Sequence, residues 1–299
     1  MPLNKRKMTK KIIKIFSMVA VGLVVSVLVL RSVYAVSLFH GLTNEMENSG
    51  WSRADSNSVV RTGEELTYEA SYLFFKIGAV RFHVLGRTVY DSIPAYELRA
   101  DIDSYSGIPF VDLHAIYITY ADAKTLMCIY TSNSQKEGDG WLYTSCNLHY
   151  AKGKADWQQS KNGVVVKNVE YPLDRSYTDG LSFFYYLREA SKVADGRKTK
   201  LTIPIVVDTV RSSVVLTINE KKEPCDIKAY DFPLESYRMS GHINFTGFFG
   251  VTGGFTGWMS ADSAEVPLRG DVNVILGSVV VKLKDVKRDG WIPPRSKSK

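Results

Sequence analysis

The sequence predicts a single, mainly β domain: a largely antiparallel, strongly curved β-roll or barrel-like sheet with one packed helix near 179–192. Three observations carry that reading. Short runs of alternating apolar and polar residues follow one another from Glu65 onward, the period of half-buried strands. Only one stretch, beginning at Asp179, has helical spacing. The 299 residues are 45% hydrophobic and 12% aromatic, enough apolar side chain for a packed core and too much for a disordered chain.

The N-terminus reads as an export signal. Lys5, Arg6, Lys7, Lys10, Lys11 and Lys14 precede Ile15–Leu30, sixteen residues without a charge. A membrane-spanning helix needs about 20. Val33-Tyr34-Ala35 then supplies small or apolar residues at −3 and −1, as a signal peptidase requires. Residues 1–35 are expected to be a signal peptide or, in the alternative, an N-terminal anchor in the inner membrane. Either way the basic side stays cytoplasmic and the body is periplasmic. No Cys follows the apolar run, which excludes a lipoprotein anchor. Residues 36–62 are polar and aperiodic, a linker.

The β domain is expected over 63–284. Leu66, Tyr68, Ala70 and Tyr72 alternate with Thr67, Glu69 and Ser71 in a first strand. Ile77–Tyr90 is a long second run interrupted by Gly78 and Gly86, residues that mark bulges or bends. In 96–104, Leu98, Ala100 and Ile102 face one way and Glu97, Arg99, Asp101 and Asp103 the other. Further strands are predicted at 113–121, 124–131, 141–150, 163–170, 199–209, 212–219, 235–246, 254–261 and 271–284. Asp179 caps the helix, and Asp195-Gly196 ends it. Leu181, Phe184, Tyr185 and Arg188 share a face that should pack on the sheet, with the Arg188 head reaching a buried acid. Residues 285–299 form a basic, flexible tail.

The net charge of +7 belongs to the ends. Seven of the 38 basic residues lie in the first 35 positions, which hold no acid, and the remaining 31 balance the 31 acidic residues. A body of that balance is not a nucleic-acid binder. Cys128 and Cys146 flank a hairpin whose tip lies in Gln135–Gly140. A turn centred near Glu137 sets them opposite one another, a candidate disulfide in an exporting compartment. Two separate buried thiols are the alternative, and Cys225 is left over.

Catalytic signatures are missing. There is no G-x-S-x-G elbow, H-E-x-x-H pair or Walker lysine motif, and no Cys/His spacing suits zinc. His83, His114, His149 and His242 fall on different predicted strands. Asp101 and Asp103 share a face with Glu97 and Arg99, a solvated surface rather than an acid–base pair. The sequence therefore points to a non-enzyme with no cofactor and no metal.

Three blocks are similar to a known group. Gly63-Glu64-Glu65-Leu66-Thr67-Tyr68 with Ile77-Gly78 resembles the opening of the bacterial family labelled domain-of-unknown-function 3108. Asp179-Gly180-Leu181-Ser182 with Tyr185-Tyr186-Leu187-Arg188 resembles its central helix motif. Trp258-Met259-Ser260-Ala261-Asp262, Val266-Pro267-Leu268 and Leu276-Gly277-Ser278 resemble its closing hairpin. The resemblance runs from Gly63 to Leu283 and implies an exported protein of Gram-negative envelopes, a rolled β architecture and no family catalytic residue.

The Gly- and Phe-rich stretch at 247–257 departs from that family. Phe248, Phe249, Phe255 and Trp258, set among glycines, are the candidate ligand-binding residues, as a pocket rim, a membrane-touching loop or a partner surface. A bulged hairpin with its rings turned inward is the alternative. Two functions follow: an envelope protein holding a lipid or other apolar or amphipathic ligand in its curved sheet, or a periplasmic adaptor contacting other envelope proteins.

Overall fold

The computed structural model describes residues 59–108, 112–194, 196–243, 245, 251–274 and 277–297. Residues 1–35 and most of the linker lie outside them. The first eight strands are β1 (Glu65–Tyr72), β2 (Phe75–Tyr90), β3 (Ile93–Ser104), β4 (His114–Asp122), β5 (Cys128–Glu137), β6 (Gly140–His149), β7 (Lys154–Lys161) and β8 (Val164–Pro172). The helix α1 (Gly180–Ala194) follows. The chain then forms β9 (Thr199–Val207), β10 (Val210–Cys225), β11 (Leu234–Ile243), β12 (Val251–Ser260), β13 (Pro267–Val274) and β14 (Gly277–Lys287).

All fourteen strands belong to one antiparallel sheet, ordered β8-β7-β6-β5-β4-β3-β2-β1-β14-β13-β12-β11-β10-β9. Sequential hairpins build both arms, and β1 pairs with β14 to join them. The sheet is mainly β and curved as the sequence predicts, but it is not closed. Where edge strand β9 nears β5, two residues stitch the seam. Tyr177 O accepts from Cys128 N at 2.8 Å, while Thr178 N donates to Pro204 O at 3.0 Å and its O accepts from Val206 N at 2.8 Å. In the strand order β6–β8 lie beyond this seam.

Two strands differ from expectation. β7 was not predicted, because in KADWQQSK only Ala155 and Trp157 supply buried apolar residues. The run at 271–284 is two strands, since Val274 pairs with Gly277 across a hairpin. The start of β5 also shifts: Asp122 Oδ1 accepts from Lys124 N (2.8 Å) and Thr125 N (2.7 Å), holding 124–127 in a turn.

The cysteine pairing is corrected. Cys128, Cys146 and Cys225 are free, buried thiols. The β5–β6 turn falls on Gly138-Asp139, with Glu137 paired to Gly140, so Cys146 faces Thr131, three residues from Cys128. The tail also packs rather than trailing free. Ser296 N donates to Pro233 O (3.0 Å), and Trp291 Nε1 donates to Asp262 Oδ2 (2.7 Å). At the other end, Val59 and Val60, assigned to the linker, are already buried in the core.

Helix α1 fills the inside of the roll. Asp179 and Ser182 cap its first turn reciprocally: Ser182 N donates to Asp179 Oδ1 (2.9 Å), and Asp179 N accepts no bond but donates to Ser182 Oγ (3.0 Å). The second carboxylate oxygen of Asp179 accepts from Thr119 Oγ1 (2.6 Å) and Thr131 Oγ1 (2.8 Å), which pins the cap to β4 and β5. Leu181 and Tyr185 pack against β2–β4, and Leu187, Ala190 and Ala194 against β9–β12. Phe184 stacks on Phe82 with centroids 4.3 Å apart and meets Tyr68 edge-on. Each fully buried side chain of this kind contributes about 1.5–3 kcal/mol.

Candidate functional site

Arg188 is the largest fully buried side chain in the molecule as described, and the three sequence blocks meet on it. From the first block, Glu64 receives both guanidinium arms, Nη1 to Oε1 at 2.5 Å and Nη2 to Oε2 at 3.0 Å. From the last block come two backbone carbonyls: Nε donates to Glu265 O (3.1 Å) and Nη2 to Ala264 O (3.0 Å). A loop built for the purpose presents them. Asp262 Oδ1 accepts from Ser260 Oγ (2.8 Å), Ala264 N (3.0 Å) and Glu265 N (3.2 Å), and Ser260 Oγ accepts from Val266 N (2.8 Å). Glu265 sits in the left-handed region at φ 46°. A non-glycine residue held there is strained, and here the strain turns two carbonyls inward.

Arg288, from the tail, also donates to Glu64 Oε2 and to Val59 O (2.9 Å). Burial pushes the Glu64 carboxyl up, but the charges and hydrogen bonds of Arg188 and Arg288 together hold it below its ordinary value. Glu265 goes the other way. Burial, and then the charge of Asp262, push its carboxyl up to about 8 against the pull of Arg188 and Lys192. Tyr185 Oη and Glu265 Oε2 make no hydrogen bond among the described residues.

The family model described as Protein of unknown function (DUF3108) matches residues 67–284. The chain belongs to this family. No curated protein matches it. Among solved structures it is similar to the beta-barrel-like protein of Domain of Unknown Function DUF1849 from Brucella abortus. That chain is 11% identical with a TM-score of 0.48, over 76% of this chain and 98% of that one.

In this DUF3108 chain the Arg188 centre is chemically closed. Four of the five guanidinium N–H groups are engaged as described. It joins the helix, the residue before β1, the β12–β13 loop and the tail, which is the work of a structural lock.

Of the aromatic candidates, the two that are described, Phe255 and Trp258, lie on opposite faces of β12. Phe255 turns inward onto the β9–β12 core, its ring lying over Gly241, where a Cβ would come within 2.4 Å of it. Trp258, three residues on, leaves the opposite face of β12. Its Nε1 donates to Glu223 Oε1 (2.5 Å), and its ring lies under the guanidiniums of Arg238 and Arg269. Phe248 and Phe249 lie outside the described residues. The histidines stay apart on β2, β4, β6 and β11. His83 and His114 join Asp101 and Asp103 in a part-exposed ladder of charges on the outer face. No group of three or more metal-ligating side chains occurs among the described residues. No helix among them is long and apolar enough to cross a membrane.

The sequence reading passed over the β1–β2 tip. Leu73, Phe74 and Phe75 are 72%, 81% and 56% exposed. Leu73 holds φ 54°, and the two rings touch with centroids 4.5 Å apart. Lys76 follows directly and is itself largely exposed. β11 and β13 end, and β12 and β14 begin, at the same end of the sheet. Leu-Phe-Phe between two strand patterns was the available signal, but consecutive apolar residues read as strand interior until a turn is seen to fall on them.

Proposed function

We propose that this is an exported, non-catalytic envelope protein that engages an apolar or amphipathic ligand, a lipid, at the end of its curved sheet formed by the β1–β2 tip. One observation carries the reading: three consecutive large apolar side chains stand exposed, Leu73 and Phe74 on a two-residue turn and Phe75 at the start of β2. Soluble proteins seldom keep such a patch without a use for it, and a non-glycine residue in left-handed conformation at the turn adds a local cost. Lys76 beside the rings, which pairs with Glu69 at 3.5 Å and stays largely exposed, suits an anionic headgroup. Export rests on the basic segment, the uncharged run Ile15–Leu30 and Val33-Tyr34-Ala35. Alkaline phosphatase fused after residue 60 is expected to be active, and an inactive fusion sinks the periplasmic assignment.

The lipid reading is tested by flotation of the purified protein with phosphatidylethanolamine/phosphatidylglycerol vesicles. Wild-type protein should float with the vesicles, and Phe74→Ser/Phe75→Ser should not. Equal flotation of the two proteins removes the tip from the reading. A second reading, an adaptor for other envelope proteins, draws on edge strand β8. Its Val164, Val165 and Val166 are all exposed, with Trp141 exposed on the neighbouring hairpin. A free, apolar strand edge is a template for pairing with another chain.

A further inference from the structure

The outer face of β4–β8 carries a row of side chains that neither the core nor the tip uses. Tyr120, Tyr130, Asn147, Asp156 and Glu170 are direct cross-strand neighbours on successive strands. Two residues along, Ser145, Gln158 and Asn168 form a second row on β6–β8. Between these rows lies an open depression of about 380 Å³, lined by Ser145, Asn147, Asp156, Gln158, Asn168 and Glu170. That size is within the range of small-molecule sites, roughly 300–1,000 Å³.

A cluster of tyrosines stands beside Asn147, one of these lining residues. The long β2–β3 hairpin brings Tyr90 onto the face, stacked on Tyr120 at 4.7 Å and 5.2 Å from Tyr130. Tyr90 Oη donates to Asn147 Oδ1 at 2.5 Å. With its carbonyl so occupied, the Asn147 amide is left with its two N–H donors to offer. The side chains of Ser145, Gln158 and Asn168 have no hydrogen-bond partner among the described residues, and each can both donate and accept.

The two acids are not free to hold a cation. Lys154 Nζ lies 2.5 Å from Glu170 Oε2 and 3.5 Å from Asp156 Oδ1, and His149 Nε2 lies 3.2 Å from Asp156 Oδ2. They remain hydrogen-bond acceptors. An anionic ligand is disfavoured by them, and a purely apolar one would strand amide and hydroxyl groups unpaired.

We propose that this depression is a binding site for a neutral polyhydroxylated ligand, an oligosaccharide. Sugar hydroxyls match mixed amide, hydroxyl and carboxylate partners, and a sugar reaching past Asn147 would set the C–H face of a pyranose against the tyrosine cluster beside it. The site is remote from the β1–β2 tip in sequence and chemistry and does not rest on the lipid reading.

The test is saturation-transfer NMR on the purified full-length protein with cellotetraose, chitotetraose and maltotetraose, alongside pull-down on an insoluble polymer of the same sugar. At least one soluble sugar should bind with a Kd near or below about 1 mM. Retention on the polymer but not by the free sugar assigns the site to an envelope or wall polymer and supports the proposal equally. The exposed double variant Gln158→Ala/Asn168→Ala should weaken binding by about tenfold or more with an unchanged unfolding midpoint. Phe74→Ser/Phe75→Ser should bind sugar as wild type does. Absence of binding to every sugar and polymer overturns the proposal, as does equal binding by the double variant. Stoichiometric calcium binding lost in Asp156→Asn would replace it with a cation site.

Discussion

Two of the places that break the rule that the inner face of this sheet is apolar and the outer surface polar break it in opposite ways. At Arg188 the interior holds charge. At the β1–β2 tip the exterior holds Leu73, Phe74 and Phe75. The interior exception is answered at the guanidinium, with Glu64, Ala264 O, Glu265 O and the second cation Arg288 all in place, while Tyr185 Oη and Glu265 Oε2 make no hydrogen bond among the described residues. The exterior one leaves all three side chains exposed, with Phe74 and Phe75 in ring contact. A buried polar network that is satisfied fixes a unique arrangement of the elements around it. An exposed apolar group has nothing to gain within the fold, so its reason lies outside it. The fold is therefore expected to be sensitive at the first place and indifferent at the second.

The sharpest way to break that contrast is Arg188→Met. Removing one partner leaves Glu64 buried beside Arg288 alone and frees two carbonyls, and breaking a buried pair in this way costs about 3–5 kcal/mol. Urea unfolding measures it. A loss comparable to that of a surface ion pair, below about 1 kcal/mol, would mean that the centre does not hold helix to sheet.

Glu265 sharpens the same side of the comparison through pH. Its carboxyl keeps its proton in the folded protein up to about 8, whereas the unfolded chain releases it near the ordinary value of 4.5. Folding therefore takes up a proton between those values. This contribution to stability is full below the unfolded value and is lost as pH rises towards 8, by at most about 1.4 kcal/mol per pH unit. Glu64 acts in a different window: its folded value is lowered, so its contribution fades as pH falls below 4.5. Glu265→Gln should abolish the loss between 4.5 and 8, leaving the variant progressively more stable than wild type as pH rises. Parallel stability curves for the two proteins would show that Glu265 does not titrate in that range.

A smaller effect is expected at Gly241. A Cβ there would lie 2.4 Å from the Phe255 ring and 2.8 Å from Val215 O. Gly241→Ala should therefore cost about 1–3 kcal/mol through overpacking. A neutral result would mean that the Phe255 ring is free to leave the core, returning it to the ligand-binding candidates.

These positions also mark how far the sequence could be read. Alternation in Leu98, Ala100 and Ile102 is a local signal, and so is the Asp179 cap, so β3 and the helix start were legible. Arg188 could be foreseen to seek an acid, because a cation on an apolar helix face has few other options. Which acid was not legible. Glu64 is 124 residues away, and only the closing of β1 against β14 brings first strand, helix and last loop together. The cysteine register failed for a related reason: a turn placed one to two residues too early shifts every pairing in the hairpin. The β4–β8 rows are likewise a property of four registers at once, so no single strand reveals them.

The smallest stability effect, and the other half of the contrast, belongs to the tip. Phe74→Ser/Phe75→Ser replaces exposed rings that contact mainly each other, so little buried area is lost. Surface substitutions of this kind stay within about 0.5 kcal/mol. Removing apolar surface from the folded and unfolded states alike leaves their difference almost unchanged. The expected outcome is an unfolding midpoint like that of wild type together with loss of vesicle flotation. The reverse result, a fold weakened by 2 kcal/mol or so with flotation intact, would make the tip a packing element and leave the exposed valines of β8 as the surface to explain.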